Sequence, residues 1–362
     1  MPADPISAEG RAADLARALH ERGIDALLVG SEINVRYLCG FAGSAGLCLV
    51  GPEKREFFTD FRYVERADVE VGRGWERAEP SYSMWKDAIA SMPDGSKVGF
   101  EDSRLTVREL ETLSEAAGDR VHLTPAGELV EGLREIKDRE EVERVRAASL
   151  MADGIFTWLV EFGFGGRTEL EILRACEVRI AELGAKPSFP PIIAAGPNGA
   201  IPHAEPGDRK VRDGDLLTID MGVELDAYCS DCTRTYAIGE PSSRAREIYQ
   251  TVLDAQLASL AAVRSGVACS AVDAAGRDLI TGAGFGPNFG HGTGHGVGME
   301  IHEAPRVSQA ATGDLRAGQI ITIEPGIYLP GEMGVRIEDL VVVTDGGCDN
   351  LSTLAKELEI VG

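Results

Sequence analysis

Over the first 125 residues, short hydrophobic runs alternate with amphipathic segments. The hydrophobic runs have the length of buried strands and cover residues 26–29, 47–50 and 57–59. Apolar positions at helical spacing predict helices over residues 7–22, 62–71 and 106–116. Ser7 is a suitable N-cap for the first helix, and Gly23 follows its end. The alternation predicts a compact α/β domain over residues 1–128.

Two long helices are predicted next, after a domain boundary near residues 125–137. Each begins with the spacing of a capping box, at Asp138 and Glu141 and again at Thr168 and Glu171. The glycine-rich FGFGG separates the two helices, and Gly184 ends the second. Strands are then predicted over residues 216–221 and 231–238.

The same order of elements then recurs. Ser242 can cap a helix that runs to about residue 264, and a shorter helix covers residues 271–281. Strand-like segments follow at residues 319–324 and 334–343. Two helices followed by strands, twice over, predict two related halves within a second domain over residues 129–362. The fold class is therefore α/β (α+β), and a cleft between such halves is a natural place for chemistry.

Composition and charge restrict the partners of the chain. Its 362 residues are 44% hydrophobic and 26% charged, as in ordinary globular proteins, and the formal net charge is −23. An anionic surface repels phosphate backbones and anionic lipids, so we expect neither nucleic acid nor a membrane as a partner. The amino-terminal stretch lacks the regions of a signal peptide, and no apolar run is long enough to span a membrane. We therefore expect a cytoplasmic protein.

The seven cysteines are scattered without the spacing of a disulfide framework. Cys229 and Cys232 form a C-x-x-C pair, which leaves open a redox pair or half of a zinc site, although the chain has no second C-x-x-C. The simpler interpretation is that all seven are reduced thiols in a cytosolic protein.

Four acidic residues lie in or beside strongly apolar strands, namely Asp220, Asp231, Glu324 and Glu338. An unpaired carboxylate that is buried must be compensated or must take up a proton. Arg234 and Arg336 are the basic residues close to these acids in sequence, whereas two divalent cations would balance all four carboxylates. Any one of the acids could face solvent from a strand surface. All four together, with a histidine nearby, indicate a metal site.

Histidines concentrate in the same region, mainly in the segment GHGTGHGVGMEIHE. His291 and His295 have the i, i+4 spacing of two ligands on one helix face, but each alternating glycine costs a helix about 1 kcal/mol. An extended or looped segment is therefore predicted, with its backbone close to other atoms. One imidazole there can bind a metal, and the others can contact a substrate. By contrast, His20 and His122 are expected to be surface residues.

Arg336 and Glu338 are two residues apart in a predicted strand, so their side chains should point to one face. If Glu338 binds a metal, Arg336 enters the same site and can orient a ligand carboxylate or bind a substrate carboxylate. A surface ion pair is the alternative. Carboxylates combined with an imidazole suit manganese, cobalt, iron or zinc. Two such ions about 4 Å apart can polarise a carbonyl.

These motifs resemble those of the Xaa-Pro peptidases, the pita-bread metallopeptidases (M24) that include aminopeptidase P and prolidase. LLTIDMG, DCTRTYAIG, GHGTGHGVGMEIHE, ITIEPGIY and GVRIEDLVVV occur in the family's order. VRYLCGFAGSAGLCLV and FTDFRYVERA resemble its creatinase-like amino-terminal domain, and LREIKDREEVERVRAA resembles the start of its catalytic domain. The resemblance implies a creatinase-like α/β domain followed by a pita-bread domain with two pseudo-symmetric halves.

The resemblance also implies a metal centre. Two divalent ions, in the first instance Mn²⁺ with Co²⁺, Zn²⁺ or Fe²⁺ as alternatives, would be held by Asp220, Asp231, His295, Glu324 and Glu338. Asp220 would bind one ion, and Asp231 and Glu338 would bridge the two. His295 and Glu324 would complete the other. Glu324 would also carry a proton from the nucleophile to the leaving proline nitrogen.

Further matching residues would surround the substrate. His203, His291 and His302 would line its site, and His302 would steady the tetrahedral intermediate. Arg336 would help to hold the substrate or the ligands, and Tyr328 would support the site. The substrate would be a peptide with proline at the second position. Its scissile bond is a tertiary amide without the N–H that general proteases grip.

Several alternatives remain at this point. Methionine aminopeptidases share the ligand set, but the long amino-terminal domain and Arg336 argue against them, and creatinase lacks the ligands that are present here. A non-catalytic binding protein of the same fold is a third alternative. The sequence leaves open whether the enzyme cuts only Xaa-Pro dipeptides or removes the first residue of longer peptides, and which Xaa it prefers. The resemblance implies a homodimer.

Overall fold

The computed structural model describes residues 8–361, so the predicted N-cap Ser7 lies outside the described residues. The chain divides into one compact unit that ends at Arg134 and a second that begins at Glu135. The division expected at residue 128 precedes a short helix in which Leu129 and Val130 are buried. Arg134 Nη1 in this helix donates a hydrogen bond to Asn34 Oδ1 over 2.7 Å. The helix therefore belongs to the amino-terminal unit.

The amino-terminal unit consists of helices packed on one mixed sheet. Its helices are α1 (Ala8–Glu21), α2 (Glu32–Cys39), α3 (Val64–Glu70), α4 (Met84–Ala90), α5 (Val107–Ala117) and α6 (Leu129–Arg134). Its strands are β1 (Ala26–Val29), β2 (Gly46–Val50), β3 (Arg55–Thr59), β4 (Glu76–Arg77), β5 (Lys97–Phe100) and β6 (His122–Pro125). The sheet order is β4-β3-β2-β1-β5-β6, with β1 antiparallel to β2 and parallel to β5.

The core of this unit explains why the hydrophobic runs predicted its strands. Leu28, Leu49, Phe58 and Val98 come from four neighbouring strands and are buried in one cluster with residues of α4 and α5. Strands that are covered by helices are apolar over nearly their whole length, which is the pattern of the three hydrophobic runs. The predicted helices and strands of the unit are all present, and a 3₁₀ turn (Phe61–Tyr63) begins the segment of α3.

The helices of the second unit are α7 (Arg139–Phe162), α8 (Glu169–Glu182), α9 (Ser243–Ala262) and α10 (Cys269–Gly282). Both predicted capping boxes are formed, at the starts of α7 and α8. The end of the first helix and both ends of the second recur at an offset of 100 residues in the second pair. This recurrence agrees with two related halves.

The strands of the second unit form four sheets. They are β7 (Lys186–Pro187), β8 (Ile192–Ala195), β9 (Leu216–Met221), β10 (Val223–Leu225), β11 (Tyr228–Cys229), β12 (Cys232–Ile238), β13 (Gly294–Gly296), β14 (Glu303–Val307), β15 (Ile320–Ile323), β16 (Gly326–Leu329), β17 (Met333–Arg336), β18 (Asp339–Val343), β19 (Cys348–Asn350) and β20 (Ile360–Val361). The two larger sheets have the orders β20-β12-β9-β8 and β14-β13-β15-β18-β19. The smaller sheets are β11-β10-β7 and β16-β17.

Each helix pair packs on the strands of its own half, and α7 and α9 also share buried clusters with strands of the other half. Phe156 of α7, Ile172 of α8, Ile219 of β9 and Tyr236 of β12 belong to one buried cluster. Helix α10 and strands β15 and β18 share another, which includes Val272. The long strands β9 and β12 are buried at every position, so a polar side chain on them must find a partner inside the protein.

The single strand expected over residues 334–343 is wrong. Two strands, β17 and β18, occupy the segment and belong to different sheets. The chain leaves regular pairing at Ile337 and Glu338, where the Glu338 N–H donates to Thr233 O over 3.1 Å. The backbone therefore turns towards β12 at this point. Periodicity could not show the break, because the apolar pattern continues across it.

Among residues 8–361, no helix combines the length and the apolar character that crossing a bilayer requires.

A close backbone contact joins β17 to the 3₁₀ turn Gly196–Ala200. A Cβ atom on Gly334 would lie 1.8 Å from Gly199 O, so glycine alone fits without a backbone shift. We expect Gly334→Ala to lower the thermal unfolding midpoint by several degrees, because overpacking of this kind costs about 1–3 kcal/mol. Circular dichroism on heating measures the midpoint. The control is Gly346→Ala, where nothing lies within 4 Å of the added Cβ. Equal midpoints for the two variants would contradict this close packing.

Candidate metal centre

Two aspartates come together because of the register of β9 and β12. Asp220 is paired with Thr233 across the two antiparallel strands. Asp231 precedes Thr233 by two residues, so Asp220, Thr233 and Asp231 share one face of the sheet. Both aspartates are buried, with exposed fractions of 9% and 6%. The sequence-based expectation of buried acids in this sheet is therefore confirmed.

His295 enters the same face from the glycine-rich segment. The segment is extended, as predicted, and forms β13 between β14 and β15. A Cβ on Gly294 would meet Thr322 O at 1.9 Å, which explains the glycine beside the histidine. His295 Nδ1 lies 3.0 Å from Gly296 O, and because a carbonyl only accepts, Nδ1 carries the proton. The Nε2 lone pair then points at Asp231 Oδ2, 3.6 Å away, and Glu324 Oε1, 3.4 Å away.

Glu324 and Glu338 lie immediately outside regular strands. Glu324 follows β15, and Glu338 occupies the break between β17 and β18. Glu338 Oε2 accepts a 2.6 Å hydrogen bond from the hydroxyl of Thr233, which sets its carboxylate beside Asp231. One ligand atom each from Asp231, His295 and Glu338 lie within 4.8 Å of one another. The acids thus converge on one point because each lies at the end of a strand. Glu338 was expected inside a strand and lies instead at a strand end.

The electrostatics of the cluster show that its acids outnumber the positive charges that contact them among the described residues. Burial, and then repulsion by Asp220 and Glu324, raises the pKa of Asp231 well above its ordinary value. Burial raises the pKa of Glu338 well above its ordinary value, with Asp231 as the largest repelling neighbour. The pKa of Glu324 is raised by burial to about 7. Burial lowers the pKa of His295 to about 3, so its imidazole is neutral.

Among the described residues, the guanidinium of Arg336 is in direct contact with this cluster. It is 4% exposed, and its Nη2 donates to Asp220 Oδ2 over 2.5 Å. Its Nε donates to the Thr233 hydroxyl over 3.1 Å, so one guanidinium orients Asp220 directly and Glu338 through Thr233. The expectation that Arg336 and Glu338 face one site therefore holds, even though the strand between them is broken. Arg336 is a buried residue that orients two carboxylates of the cluster, so the alternative of a surface ion pair is wrong.

The donor set fits divalent cations. Asp220 Oδ1 is buried and has no hydrogen-bond partner among residues 8–361, so one carboxylate oxygen is left for another interaction. The Nε2 lone pair of His295 and the oxygens of Asp231 and Glu324 face each other as acceptors within 3.4–3.6 Å. Acceptors at that separation repel unless a cation or a proton lies between them. Carboxylates with one neutral imidazole form a ligand set that suits divalent ions.

A cavity of about 540 Å³ opens onto the cluster and is lined by all five predicted metal ligands together with His203, His291, His302 and Arg336. His291 Nε2 lies 2.9 Å from the hydroxyl of Tyr328, which accepts a 2.9 Å hydrogen bond from Arg336 Nη1. The ring of His302 packs edge-on against that of His295, with centroids 4.4 Å apart. His203 is exposed on the loop that follows the 3₁₀ turn Gly196–Ala200. The structure thus brings all of the predicted site residues to one cavity.

Two cavity-related residues were not anticipated from the sequence. Arg306 lines the cavity from β14 and forms no ion pair with any acid in the described part of the chain. It follows His302 by four residues in an extended segment, an even spacing that could have indicated a shared face. Thr233 connects Arg336 with Glu338, and its place in the alternation of the DCTRT motif was the available signal.

Buried acids outside the cavity hold the loops that carry the site. Glu169 accepts hydrogen bonds from Ala195 N and Gly207 N, at the two ends of the loop that bears His203. Asp273 is paired with Arg277 and accepts from Thr293 N, between His291 and His295. Asp339, next to Glu338, is paired with Arg234 and with Lys356. Arg234 also donates to Ala355 O over 2.9 Å, which ties residues 354–356 to this neighbour of Glu338.

The cysteine alternative finds no support in the geometry. Cys229 and Cys232 are both buried, and their thiols contact different carbonyl oxygens, those of Met299 and Glu338. Burial raises the pKa of Cys229 to about 12 and that of Cys232 well above its ordinary value, so neither is a ready thiolate. The two histidines expected at the surface, His20 and His122, are exposed.

Comparison with known proteins identifies the family. Residues 143–345 match metallopeptidase family M24, and residues 11–136 match the creatinase/prolidase N-terminal domain. The chain belongs to metallopeptidase family M24. The M24 match covers α8, α9, α10, all of α7 but its first four residues, and all five predicted ligands. Membership confirms the creatinase-like and pita-bread domains, and it implies divalent metal ions.

Relatives of this M24 protein are similar over nearly their whole length. An Xaa-Pro dipeptidase of Pyrococcus furiosus (strain ATCC 43587) is 33% identical over 95% of this chain and 98% of its own. An Xaa-Pro dipeptidase structure from Bacillus anthracis superposes with a TM-score of 0.93 at 37% identity, covering 98% and 100% of the two chains. An X-Pro aminopeptidase structure from Thermotoga maritima gives 0.87 at 32% identity, covering 95% and 100%.

The raised pKa of Glu324 predicts how pH acts on the chelator-treated M24 protein. Glu324 keeps its proton to about pH 7 in the folded state, whereas its ordinary pKa is 4.5. The folded state then binds more protons, so stability is fully present below pH 4.5 and is lost as pH rises through 7. The pKa difference corresponds to roughly 3 kcal/mol. Urea unfolding midpoints between pH 5 and 8 measure the effect.

Glu324→Gln is the matched control, because it removes the titrating group and keeps its shape. We expect the variant to show a flatter dependence of the midpoint on pH in chelator. Adding divalent metal should raise the wild-type midpoint most at high pH, where the acids are ionised. Parallel curves for variant and wild type would show that Glu324 does not titrate as described.

Proposed function

We propose that this protein is a Xaa-Pro dipeptidase that uses two divalent metal ions, with Mn²⁺ as the first candidate. The observation that carries the proposal is the convergence of Asp231, His295 and Glu338 on one point of a cavity, beside two further acids. Asp220, whose Oδ1 has no hydrogen-bond partner among the described residues, would help to hold one ion, and His295 and Glu324 would help to hold the other. Asp231 and Glu338 would contribute to both, and two divalent ions would balance the four carboxylates.

The ions supply the polarisation of the scissile carbonyl and the activation of water when they are bound. The protein's own groups then handle protons and orientation. Glu324, whose carboxylate lines the cavity beside the cluster, can take a proton from water and deliver it to the leaving proline nitrogen. His302, at the cavity surface, can donate a hydrogen bond to the oxygen of the tetrahedral centre. Arg336 and Tyr328 hold His291 in place.

The walls of the cavity suit proline. Phe189, Pro190, Pro191 and Ile192 form a largely apolar stretch of the lining, against which a pyrrolidine ring can pack. Because an Xaa-Pro amide has no N–H, a site without a dedicated acceptor for that group loses nothing with this substrate. A site without such an acceptor also gives ordinary peptides no extra binding through their N–H group. Selectivity for Xaa-Pro peptides must therefore come from the shape of this wall.

The preference for dipeptides rests on charge. A dipeptide carries its free carboxylate directly on the proline, close to the scissile bond. Arg306 lines the cavity without an acidic partner among the described residues, so its guanidinium can bind that carboxylate. Relatives from Pyrococcus furiosus and Bacillus anthracis bear the name Xaa-Pro dipeptidase. The neighbour named X-Pro aminopeptidase supports the second candidate, removal of the first residue from longer peptides. The cytoplasmic location and the homodimer stay predictions.

The first experiment strips the protein with chelator, restores Mn²⁺, Co²⁺ or Zn²⁺ and follows hydrolysis of Ala-Pro beside Ala-Pro-Ala. We expect metal-dependent cleavage of Ala-Pro and little cleavage of the tripeptide. Asp231→Asn keeps the shape of a proposed bridging ligand and should lower kcat at least 1000-fold, roughly the loss of one strongly stabilising group at the reacting centre. Equal cleavage of both peptides would establish the aminopeptidase, and cleavage of neither with any metal would reject a proline peptidase.

The role of Arg306 has its own test. Wild-type protein should prefer Ala-Pro to its amide Ala-Pro-NH₂, because the amide lacks the terminal charge. Arg306→Met should raise KM for Ala-Pro by roughly 10- to 100-fold, as expected for a lost hydrogen bond between charged groups. It should leave KM for the amide nearly unchanged. Steady-state kinetics on the two substrates decide the matter. An equal loss on both would mean that Arg306 does not read the carboxylate.

A further inference from the structure

His302 is placed by its backbone and by a ring contact, without a hydrogen bond to its imidazole in the described part of the chain. Its ring stacks edge-on against His295, with centroids 4.4 Å apart. No side chain or backbone group in residues 8–361 forms a hydrogen bond with this ring, whereas Nδ1 of His291 and of His295 each bonds to a carbonyl. Whatever fixes the chain immediately around His302 therefore fixes its imidazole over the metal centre.

The residue after His302 is bound tightly inside the protein. Glu303 Oε2 forms an ion pair with Lys137 Nζ, 2.8 Å away, and Glu303 Oε1 accepts a 3.0 Å hydrogen bond from Glu300 N. The side chains of Lys137 and Glu303 are only 1% and 6% exposed. A Cβ on Gly298 would lie 2.5 Å from Glu303 Oε2, so the segment from 298 to 303 is folded closely around this carboxylate.

Lys137 is itself held on a fixed backbone. Its N–H donates to Gly318 O over 2.9 Å, in the turn that leads into β15 and so to Glu324. Glu135, two residues earlier, is paired with Arg316 over 2.6 Å in the same turn. The ammonium that neutralises Glu303 therefore comes from a segment anchored to the strand that delivers a predicted metal ligand.

We propose that the buried Lys137–Glu303 ion pair is a positioning pair, which holds His302 over the metal centre in the geometry that the reaction requires. The proposal rests on the proposed function for its kinetic consequence, but not for its structural one. The loops of the other cavity histidines are held by the buried acids Glu169 and Asp273. Lys137–Glu303 gives the loop of His302 an anchor of the same kind, between residues 166 positions apart.

The structural consequence is tested without activity or metal. In full-length, chelator-treated protein with labelled histidines, the rings of His295 and His302 should show a nuclear Overhauser effect between them. The double variant Lys137→Met/Glu303→Met replaces the charges with apolar groups of similar size, so no unpaired charge is left buried. We expect it to fold and to lose this Overhauser effect. Lys186→Met, at the exposed pair with Glu224, should keep it. Persistence of the effect in the double variant would overturn the proposal.

The kinetic consequence is tested by a double-mutant cycle on Ala-Pro with restored metal. Lys137→Met should lower kcat about 10-fold or more and change KM less than twofold, because His302 is assigned to the transition state. In the His302→Ala background the same change should have almost no further effect on kcat. Multiplying losses would show that Lys137 acts on stability or on another group, and would also overturn the proposal. Lys186→Met should leave kcat unchanged in both backgrounds.

The two tests separate the possible failures. If wild-type protein hydrolyses no Xaa-Pro peptide, the proposed function is wrong, and the Overhauser effect still decides whether the ion pair positions His302. If Lys137→Met alone does not fold, the Met/Met variant carries both measurements. Lys137→Arg, which keeps the charge, should restore a large part of kcat if charge pairing with Glu303 is what positions the ring.

Discussion

Mutual repulsion among buried carboxylates is the constraint around which the second unit is built. Asp231, Glu324 and Glu338 have raised pKa values because they are removed from water and placed side by side. This arrangement of carboxylates is unfavourable by itself. It exists because backbone hydrogen bonds and apolar packing fix the strands that carry the acids, and the favourable free energy of that packing offsets the cost of burying the charges. The folded cluster therefore favours the binding of cations. A metallopeptidase needs this property in its metal-free state.

Buried acids with other tasks are distinguished by their partners. Glu169, Asp273 and Asp339 are as deeply buried as the acids of the cavity, yet each is saturated by amides, an arginine or a lysine. Burial alone would raise the pKa of Asp339, but Arg234 and Lys356 hold that pKa below its ordinary value. Glu338, the preceding residue, shows the opposite shift. Two adjacent acids of one sequence motif thus have different roles. The carboxylate of Asp339 fixes the backbone, and that of Glu338 faces the cavity.

The sequence was sufficient for those parts of the site that depend on local pattern. Asp220 and Glu324 were recognisable because an acid at the end of an apolar strand conflicts with its surroundings, and the family motifs agreed. The break between the two strands at Ile337 was not recognisable from the sequence, because apolar residues continue through it. Arg306 was missed because it carries no apolar or family signal of its own. The pairing of Lys137 with Glu303 could not be predicted at all, since it depends on how distant segments meet in the folded unit.

The attachment of residues 354–356 beside the acidic cluster has a consequence for substitutions outside the cavity. Arg234 and Lys356 complete the environment of Asp339, and Arg234 reaches the carbonyl of Ala355. The backbone at Glu338 is therefore fully supported only when this short segment has folded back onto its neighbour. A change at residues 354–356 can disturb a predicted metal ligand without contacting the cavity itself.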